Sequence, residues 1–331
     1  MRNPARGHDL VALRRLDNTV VLRAPSRRSL RTRAERAAGS GLPQSSVEAT
    51  VEEATGRGLT DESTATGAAG DHPPGRPTRR LHFRAEAGRV LGVDVGLHTT
   101  LLLPACLGDA ALAAQRAQHN RKLPDSSRLD GVVSAGGAVT CVEVPERSGV
   151  DLGRLLSDGG AGRTRVENDV HLAVLAERQG ATTLTDATVC VLTGYRVACG
   201  LLIGAGSLGV SVACKALRRP GARWVGEVGV AVPARGADAA GSAVFVAVAG
   251  RLTPCVAAPA LAVDPELTVL TGGATPAGRH PVPLLQERLR PVTPHVPRIA
   301  LSSLGERGVA LGAVRKALDH VEEELLADTA P

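Results

Sequence analysis

The stretch Val166-Glu167-Asn168-Asp169, followed by the helical pattern VHLAVLAERQG at residues 170–180, decides how this sequence is interpreted. The residues Thr164–Val166 predict a β-like approach that ends in three polar side chains. The helix that follows has apolar residues such as Leu172 on one side and the polar Glu177 on the other. Polar residues where a strand meets a helix lie at an element end, which is where open α/β sheets bind their ligands.

Two interpretations of Asn168 and Asp169 remain open from these residues. Asn168 can donate and accept hydrogen bonds, and Asp169 can accept from a hydroxyl group or remove its proton. The pair therefore suits a polyhydroxylated ligand. Asn and Asp are also favoured at helix N-caps, so the same pair is typical of an ordinary helix start.

The net positive charge of the chain lies in its N-terminal quarter. The sequence has 331 residues, of which 43% are hydrophobic and 22% charged, as in globular proteins of two or three domains. Residues 1–89 hold 16 Arg and 10 acidic residues, whereas residues 90–331 hold 23 basic and 23 acidic residues. A basic domain on a neutral body indicates a polyanionic partner, and a solvated Arg-rich tail is the alternative.

The cysteines and the hydropathy pattern indicate the cellular compartment of the protein. None of the six cysteines forms a C-x-x-C pair, and several lie in apolar runs, so we expect buried free thiols in a reducing compartment. We expect no apolar stretch long enough to span a bilayer, no membrane partner and no signal sequence at the N-terminus. A cytoplasmic protein is predicted.

The N-terminal region has the pattern of three helices. Residues 8–24 and 30–39 predict the first two, and Thr32 with Glu35 forms a capping box at the start of the second. A turn at residues 40–42 precedes a third helix, Pro43–Thr55, with Pro43 at its first position. Its apolar face consists of Val47, Val51 and Ala54.

This order of helices predicts a winged helix-turn-helix domain over residues 1–84. A short strand near Thr60, a Gly/Ala/Pro-rich loop at residues 63–77 and a second basic strand would form the wing. Polar residues at the start of the second helix of such a motif meet base edges. The predicted DNA-binding residues are Arg33, Pro43, Gln44, Ser45, Ser46, Arg76, Arg79 and Arg80. A small helical interaction domain is the alternative.

From Val90 onwards the pattern alternates between strands and helices. The predicted elements are a strand at 90–96, strands at 101–103 and 132–133, a glycine turn at 134–137, a short helix at 152–156, a strand at 189–192 with Thr193-Gly194 after it, a strand at 269–273, and a long helix at 308–326. Such alternation predicts an α/β body.

The motifs of this body resemble those of the ROK family of repressors, open reading frames and sugar kinases, specifically its transcriptional repressors. The resemblance covers about residues 8–326. The motifs that carry it are Leu91–Gly96, Glu167-Asn168-Asp169, Gly226-Glu227-Val228-Gly229, Asp264–Leu267 leading to Gly272-Gly273, and Leu311-Gly312-Ala313.

The resemblance implies an actin-like ATPase (ribonuclease H-like) body of two α/β lobes, at residues 85–185 and 186–331, with the C-terminal helix packing back on the first lobe. It implies that a sugar or sugar-phosphate effector is bound by Asn168, Asp169, Glu227 and Gly137. In kinase members the residue at Asp169 is the general base. The implied remnants of the nucleotide loops are Asp94, Gly96, Thr193, Gly194, Gly272 and Gly273. The implied assembly is a homodimer or homotetramer on a double-stranded DNA operator.

Several departures from the family pattern argue against kinase activity. Leu97 and His98 stand where the kinases have Gly and Thr, and Ala274 replaces a third glycine. Val230 stands where the family has a zinc-binding histidine, so we predict no zinc and no other metal site. Only 72 residues separate Asp94 from Glu167, fewer than the family usually has.

We therefore expect a ROK-type DNA-binding transcriptional regulator of carbohydrate metabolism. Its sugar effector would occupy a non-catalytic, kinase-like cleft in which Asp169 is not used as a base, and no cofactor is needed. The alternatives are an ATP-dependent sugar kinase, which would require ATP and Mg²⁺, and a decayed family member without a small ligand.

Overall fold

The computed structural model describes residues 32–40, 43–64, 79–95, 99–108, 112–118, 132–133, 139–140, 151–156, 158, 163–180, 184–193, 197–204, 206–210, 239–273, 275 and 279–327. Its helices are α1 (Arg33–Ser40), α2 (Gln44–Gly56), α3 (Leu152–Leu156), α4 (Asp169–Gly180), α5 (Ala239–Val263), α6 (Pro281–Leu289) and α7 (Gly308–Ala327). Its strands are β1 (Thr60–Thr64), β2 (Arg79–Phe83), β3 (Arg89–Val95), β4 (Thr99–Cys106), β5 (Gln115–Gln118), β6 (Val132–Val133), β7 (Val139–Thr140), β8 (Ala187–Thr193), β9 (Val197–Ile203), β10 (Gly206–Val210), β11 (Leu267–Gly272) and β12 (Arg298–Leu301).

The chain divides into two compact units. Unit 1 comprises Met1–Leu91, Pro104–Ala113 and Ala317–Pro331, and unit 2 comprises Gly92–Leu103 and Ala114–Lys316. The expected domain boundaries after residues 84 and 185 stay predictions.

In unit 1 the predicted capping box starts α1. The Thr32 amide donates to Glu35 Oε2 at 2.8 Å, and the Glu35 amide donates to Thr32 Oγ1 at 3.1 Å. Each side chain thus satisfies an amide that the helix leaves without an intrahelical acceptor. The helix 8–24 expected before it lies outside the described residues.

Helix α2 begins one residue later than expected. Pro43 has φ −56° and ψ 141°, so it is the extended residue before the helix and not its first turn. Its carbonyl accepts from the amides of Ser46 and Val47. The predicted apolar face is confirmed, since Val47 and Val51 are buried against Leu81 of β2. Strands β1 and β2 pair antiparallel, from Thr60 opposite Phe83 to Thr64 opposite Arg79.

Unit 2 is built on a five-stranded sheet with the order β10-β9-β8-β11-β12. The first three strands are antiparallel neighbours, and β11 runs parallel to both β8 and β12. Side chains alternate across this sheet, so Val189 and Val191 pack with α5 and α6 while Cys190 packs with Val174 of α4. The sheet is therefore covered by helices on both faces.

Helices α4 and α7 approach each other closely at a glycine. A Cβ atom at Gly312 of α7 would overlap the backbone carbonyl of Leu172 in α4. Leu172, Ala173 and Val309 form the small apolar cluster at this crossing. A residue without a side chain is needed there because the backbone of α4 occupies the space.

The smaller sheets are simpler. Strands β3, β4 and β5 form a three-stranded sheet in that order, with β4 and β5 antiparallel. Strands β6 and β7 form an antiparallel pair.

The expectation that no apolar stretch could span a bilayer is wrong by length and composition. Residues Phe245–Val263 of α5 form a 19-residue segment of mean hydropathy 1.6. Its inward residues, including Val248, Leu252 and Val256, lie in the core against β8 and β9. These contacts are those of a core helix, and the mean hydropathy of the segment is high because Ala and Val fill it.

One further expectation needs correction. Residues 164–168 adopt no regular structure, so the β-like approach to Asn168 is wrong; a three-residue segment offers few ladder bonds, and Asn168 instead starts a helix. Helices α5 and α6 and strand β12 were not predicted. The prediction of free thiols is confirmed for Cys106, Cys190, Cys199 and Cys255, of which the last three are buried.

Candidate functional site

The start of α4 is fixed by Asn168. This side chain is only 5% exposed, and its Oδ1 accepts from the Val170 amide at 3.0 Å. The Asn168 amide in turn donates to Glu167 Oε1 at 3.0 Å, and the same oxygen lies 3.1 Å from His171 Nδ1. These bonds give Asn168 the geometry of a helix N-cap.

Asp169 has a different environment from its neighbour. It is exposed, and its Oδ1 accepts from the Val170 amide at 2.7 Å. A carboxylate in the first turn is stabilised by the positive end of the helix dipole. Asp169 is therefore a charged acceptor at the helix start that remains accessible to solvent.

Asp94, near the end of β3, is electrostatically coupled to Asp169. Burial raises the pKa of Asp94 to about 6, the Asp169 carboxylate raises it further, and Arg116 opposes the shift. Arg116 also forms an ion pair with Glu306. The charge of Asp169 thus disfavours ionisation of Asp94, because two like charges in one field are unfavourable.

A second group lies at the carboxyl ends of β8 and β11, which meet at one edge because the strands are parallel. Thr193 Oγ1 donates to the Thr271 carbonyl at 2.7 Å, and the Gly273 amide donates to the Thr193 carbonyl at 2.5 Å. Thr275 Oγ1 donates to the Gly272 carbonyl at 2.7 Å. Gly272 has φ +79°, and a Cβ there would overlap the Thr193 carbonyl, so only glycine fits without strain. Ligands of open α/β sheets bind at such an edge.

The predicted DNA-binding residues of unit 1 differ in accessibility. Gln44, Ser45 and Arg80 are exposed, and Ser46 is half-buried. Arg33 is directed at its own unit: its Nε donates to Glu62 Oε1 at 2.8 Å, and it lies 3.8 Å from a second carboxylate on α2. The charge of Arg33 is thus partly compensated within the unit.

Several predicted site residues are not placed. Arg76, Gly96, Gly137, Gly194 and Glu227 lie outside the described residues. For Arg79 the structure describes only the position in β2.

Two functional candidates escaped the sequence reasoning. Glu177 was expected on the polar side of α4 but is only 2% exposed, because α4 is covered on both sides. Burial raises the pKa of Glu177, and the neighbouring side chains of Ser302 and Thr271 oppose the shift. Arg116 lies in an exposed strand, and its effect on Asp94 depends on a long-range contact that no local pattern signals.

The buried thiol of Cys190 lies beside Glu177. Burial raises the pKa of Cys190 to about 12, and the charges of Glu177 and Cys199 act in the same direction. The thiol is therefore unreactive at neutral pH, in agreement with a core position.

No protein-family model and no curated protein sequence matches the chain. Among solved structures, a ROK family transcriptional regulator described as a homolog of the E. coli MLC protein superposes with a TM-score of 0.68 at 15% identity, covering 96% of this chain and 99% of its own. A ROK family glucokinase from Streptomyces griseus, solved with glucose and AMPPNP, gives 0.55 at 16% identity and covers 69% of this chain and 99% of its own. An inorganic polyphosphate/ATP-glucomannokinase from Arthrobacter sp. strain KM gives 0.51 at 16% identity, covering 70% and 99%. The chain therefore has the mixed α/β fold that ROK family regulators and sugar kinases share.

Proposed function

We propose that this chain is a DNA-binding transcriptional regulator whose kinase-like body binds a carbohydrate effector. One observation carries the proposal. The regulator covers 96% of this chain, whereas the two kinases match over nearly their whole lengths and cover only 69% and 70% of it. The chain thus contains a further segment that the kinases lack.

The geometry of unit 1 supports assigning that segment to a winged helix-turn-helix. Two helices, α1 and α2, are followed in sequence by the antiparallel strands β1 and β2. Gln44 and Ser45 are exposed at the start of α2, as base-contacting residues must be. The net charge of +6 falls entirely within residues 1–89, which favours a phosphate backbone as the partner.

In the proposed mechanism the effector acts allosterically. Asp169 accepts hydrogen bonds from sugar hydroxyls, with Asn168, Glu227 and Gly137 assigned to the same ligand by the family resemblance. Binding changes the spacing of paired recognition helices on a two-fold operator, in a cytoplasmic homodimer or homotetramer. No zinc and no membrane takes part.

Electrophoretic mobility shifts with DNA from upstream of the chain's own gene test the proposal. Specific binding is expected that weakens steeply as salt rises. Arg80→Ala should weaken binding and lower the salt slope by about one, since one phosphate contact is lost. Arg298→Ala, which also removes an exposed arginine from a strand, should leave binding unchanged. Weak binding that is indifferent to sequence would overturn the proposal.

A sugar kinase is the second candidate, and the coupling of Asp94 to Asp169 favours it. Asp169 is an exposed carboxylate in the base position of the family's kinases, and a second carboxylate lies in its field. Mg²⁺ is bound in proteins by one or two carboxylates together with substrate phosphates, so carboxylates are the ligand type that such a kinase would use. Leu97 and His98 argue against a working phosphate loop. ADP release measured across hexoses and amino sugars tests it; turnover that Asp169→Asn abolishes would establish the kinase.

A chain that binds DNA without any small ligand is distinguished by thermal-shift screening with sugars. A saturable rise in melting temperature with one sugar supports the effector site. If no sugar stabilises the chain while operator binding persists, the effector part of the proposal fails.

A further inference from the structure

Helix α2 is an acidic helix within the basic N-terminal segment, residues 1–89. Its sequence QSSVEATVEEATG contains three glutamates and no basic residue. A helix that enters the major groove approaches two phosphate strands, and carboxylates on it are repelled unless they have a partner. The ion-pair or hydrogen-bond partner of each glutamate therefore determines whether that part of the helix can approach DNA.

Two of the three glutamates are paired with arginines. Glu53 lies 3.4 Å from Arg57 one turn later, and Glu52 lies 3.8 Å from Arg33 of α1. Glu48 is bonded differently: its Oε1 accepts from Gln44 Nε2 at 3.0 Å. Because a carboxylate only accepts, the amide nitrogen of Gln44 must be the atom that faces it.

The Gln44–Glu48 pair lies off the core-facing side of α2. Val47 and Val51 face the core of unit 1, whereas Gln44 is exposed and Glu48 is half-buried. Both belong to the first two turns of α2, the part of a recognition helix that contacts base edges. Gln44 holds the Glu48 carboxylate by Oε1, and among the described residues no hydrogen bond reaches its other oxygen.

We propose that Glu48, positioned by Gln44, is a specificity-determining residue that accepts a hydrogen bond from the exocyclic amino group of cytosine in the operator; this inference rests on the proposed DNA binding. Only amino groups donate toward a carboxylate in the major groove, and cytosine N4 is the usual partner of Glu. At sites without a suitably placed cytosine the carboxylate repels DNA. Glu48 therefore both selects a base and weakens non-specific binding.

Selection from random-sequence duplexes by the full chain, followed by sequencing, tests this inference. The wild-type chain should select a site with a fixed cytosine, and Glu48→Ala should lower the preference for it by about tenfold. Glu48→Gln, which keeps the shape of the side chain, should shift the preference towards adenine, since Gln pairs with adenine. The matched control Glu52→Ala, one turn further along α2, should select the wild-type site.

The outcomes separate the two proposals. A wild-type chain that selects no sequence overturns both. A wild-type site that Glu48→Ala and Glu48→Gln also select leaves DNA binding intact and overturns the role of Glu48. Loss of preference at a base other than cytosine overturns the cytosine contact.

Discussion

Replacing Asp94 with Asn should stabilise the protein at alkaline pH. The pKa of Asp94 is raised from 3.8 to about 6, first by burial and then by Asp169. The folded state therefore binds the proton more tightly than the unfolded state. The stability that this group contributes is present below about pH 3.8 and is lost as the pH rises through 6.

The size of the expected gain in stability follows from the shift in the pKa of Asp94. A difference of about two pKa units corresponds to roughly 3 kcal/mol at pH 8, because each unit is worth about 1.4 kcal/mol. At pH 5 most of the folded chains still hold the proton on Asp94. The loss of folding stability is therefore only about half of its value at pH 8. Asparagine keeps the shape of the neutral acid and removes the charge.

Urea unfolding followed by circular dichroism at pH 8 and pH 5 measures this difference. Asp94→Asn should gain about 3 kcal/mol at pH 8 and about half as much at pH 5. Asp186→Asn, which removes a carboxylate from an exposed position before β8, is the control and should change little. A loss of stability at pH 8, or an equal gain at both pH values, would refute the reasoning, since Asp94 would then be ionised and compensated.

Two further substitutions test the packing and the capping. Gly312→Ala should destabilise the fold by about 1–3 kcal/mol or more, because the new methyl group overlaps the Leu172 carbonyl. Gly250→Ala in α5 meets only the Arg288 guanidinium, at 3.8 Å, which is an ordinary contact, so it should be neutral or stabilising in thermal unfolding. Thr32→Ala should cost about 1 kcal/mol by removing the acceptor of the Glu35 amide, and Thr32→Ser should keep it; hydrogen exchange of the α1 amides reports the loss.

Local patterns predicted the elements whose determinants are near in sequence. The capping box of Thr32, the apolar face of α2 and the long helix α7 all depend on residues within a few positions of each other. The buried strands β8 and β11 were also found, since their apolar runs end in polar or glycine residues. These signals are local, so they can be recognised without knowledge of the tertiary structure.

Features set by tertiary contacts were missed. Helix α5 contains Pro254 and Pro259 and is almost uniformly apolar, so neither its periodicity nor its composition indicated a helix. Its burial against the sheet stabilises a helix that local propensity disfavours. Glu177 has the sequence position of a polar-face residue and is nevertheless buried, because α4 packs on the sheet and on α7. The sequence of a single helix does not show that structure packs against it on two sides.

The choice between a helix cap and a ligand site is a question about two separate residues. Asn168 is buried and bonded to the Val170 amide, so Asn168→Ala should cost about 1 kcal/mol of stability with or without sugar. Asp169 is exposed, and Asp169→Asn removes a charge that raises the pKa of Asp94, so the pKa of Asp94 should fall in this variant. If Asp169 binds the effector, Asp169→Asn should abolish a sugar-induced thermal shift without unfolding the protein. A shift that survives in Asp169→Asn and disappears in Asn168→Ala would reverse the assignment and make the cap residue the sugar contact.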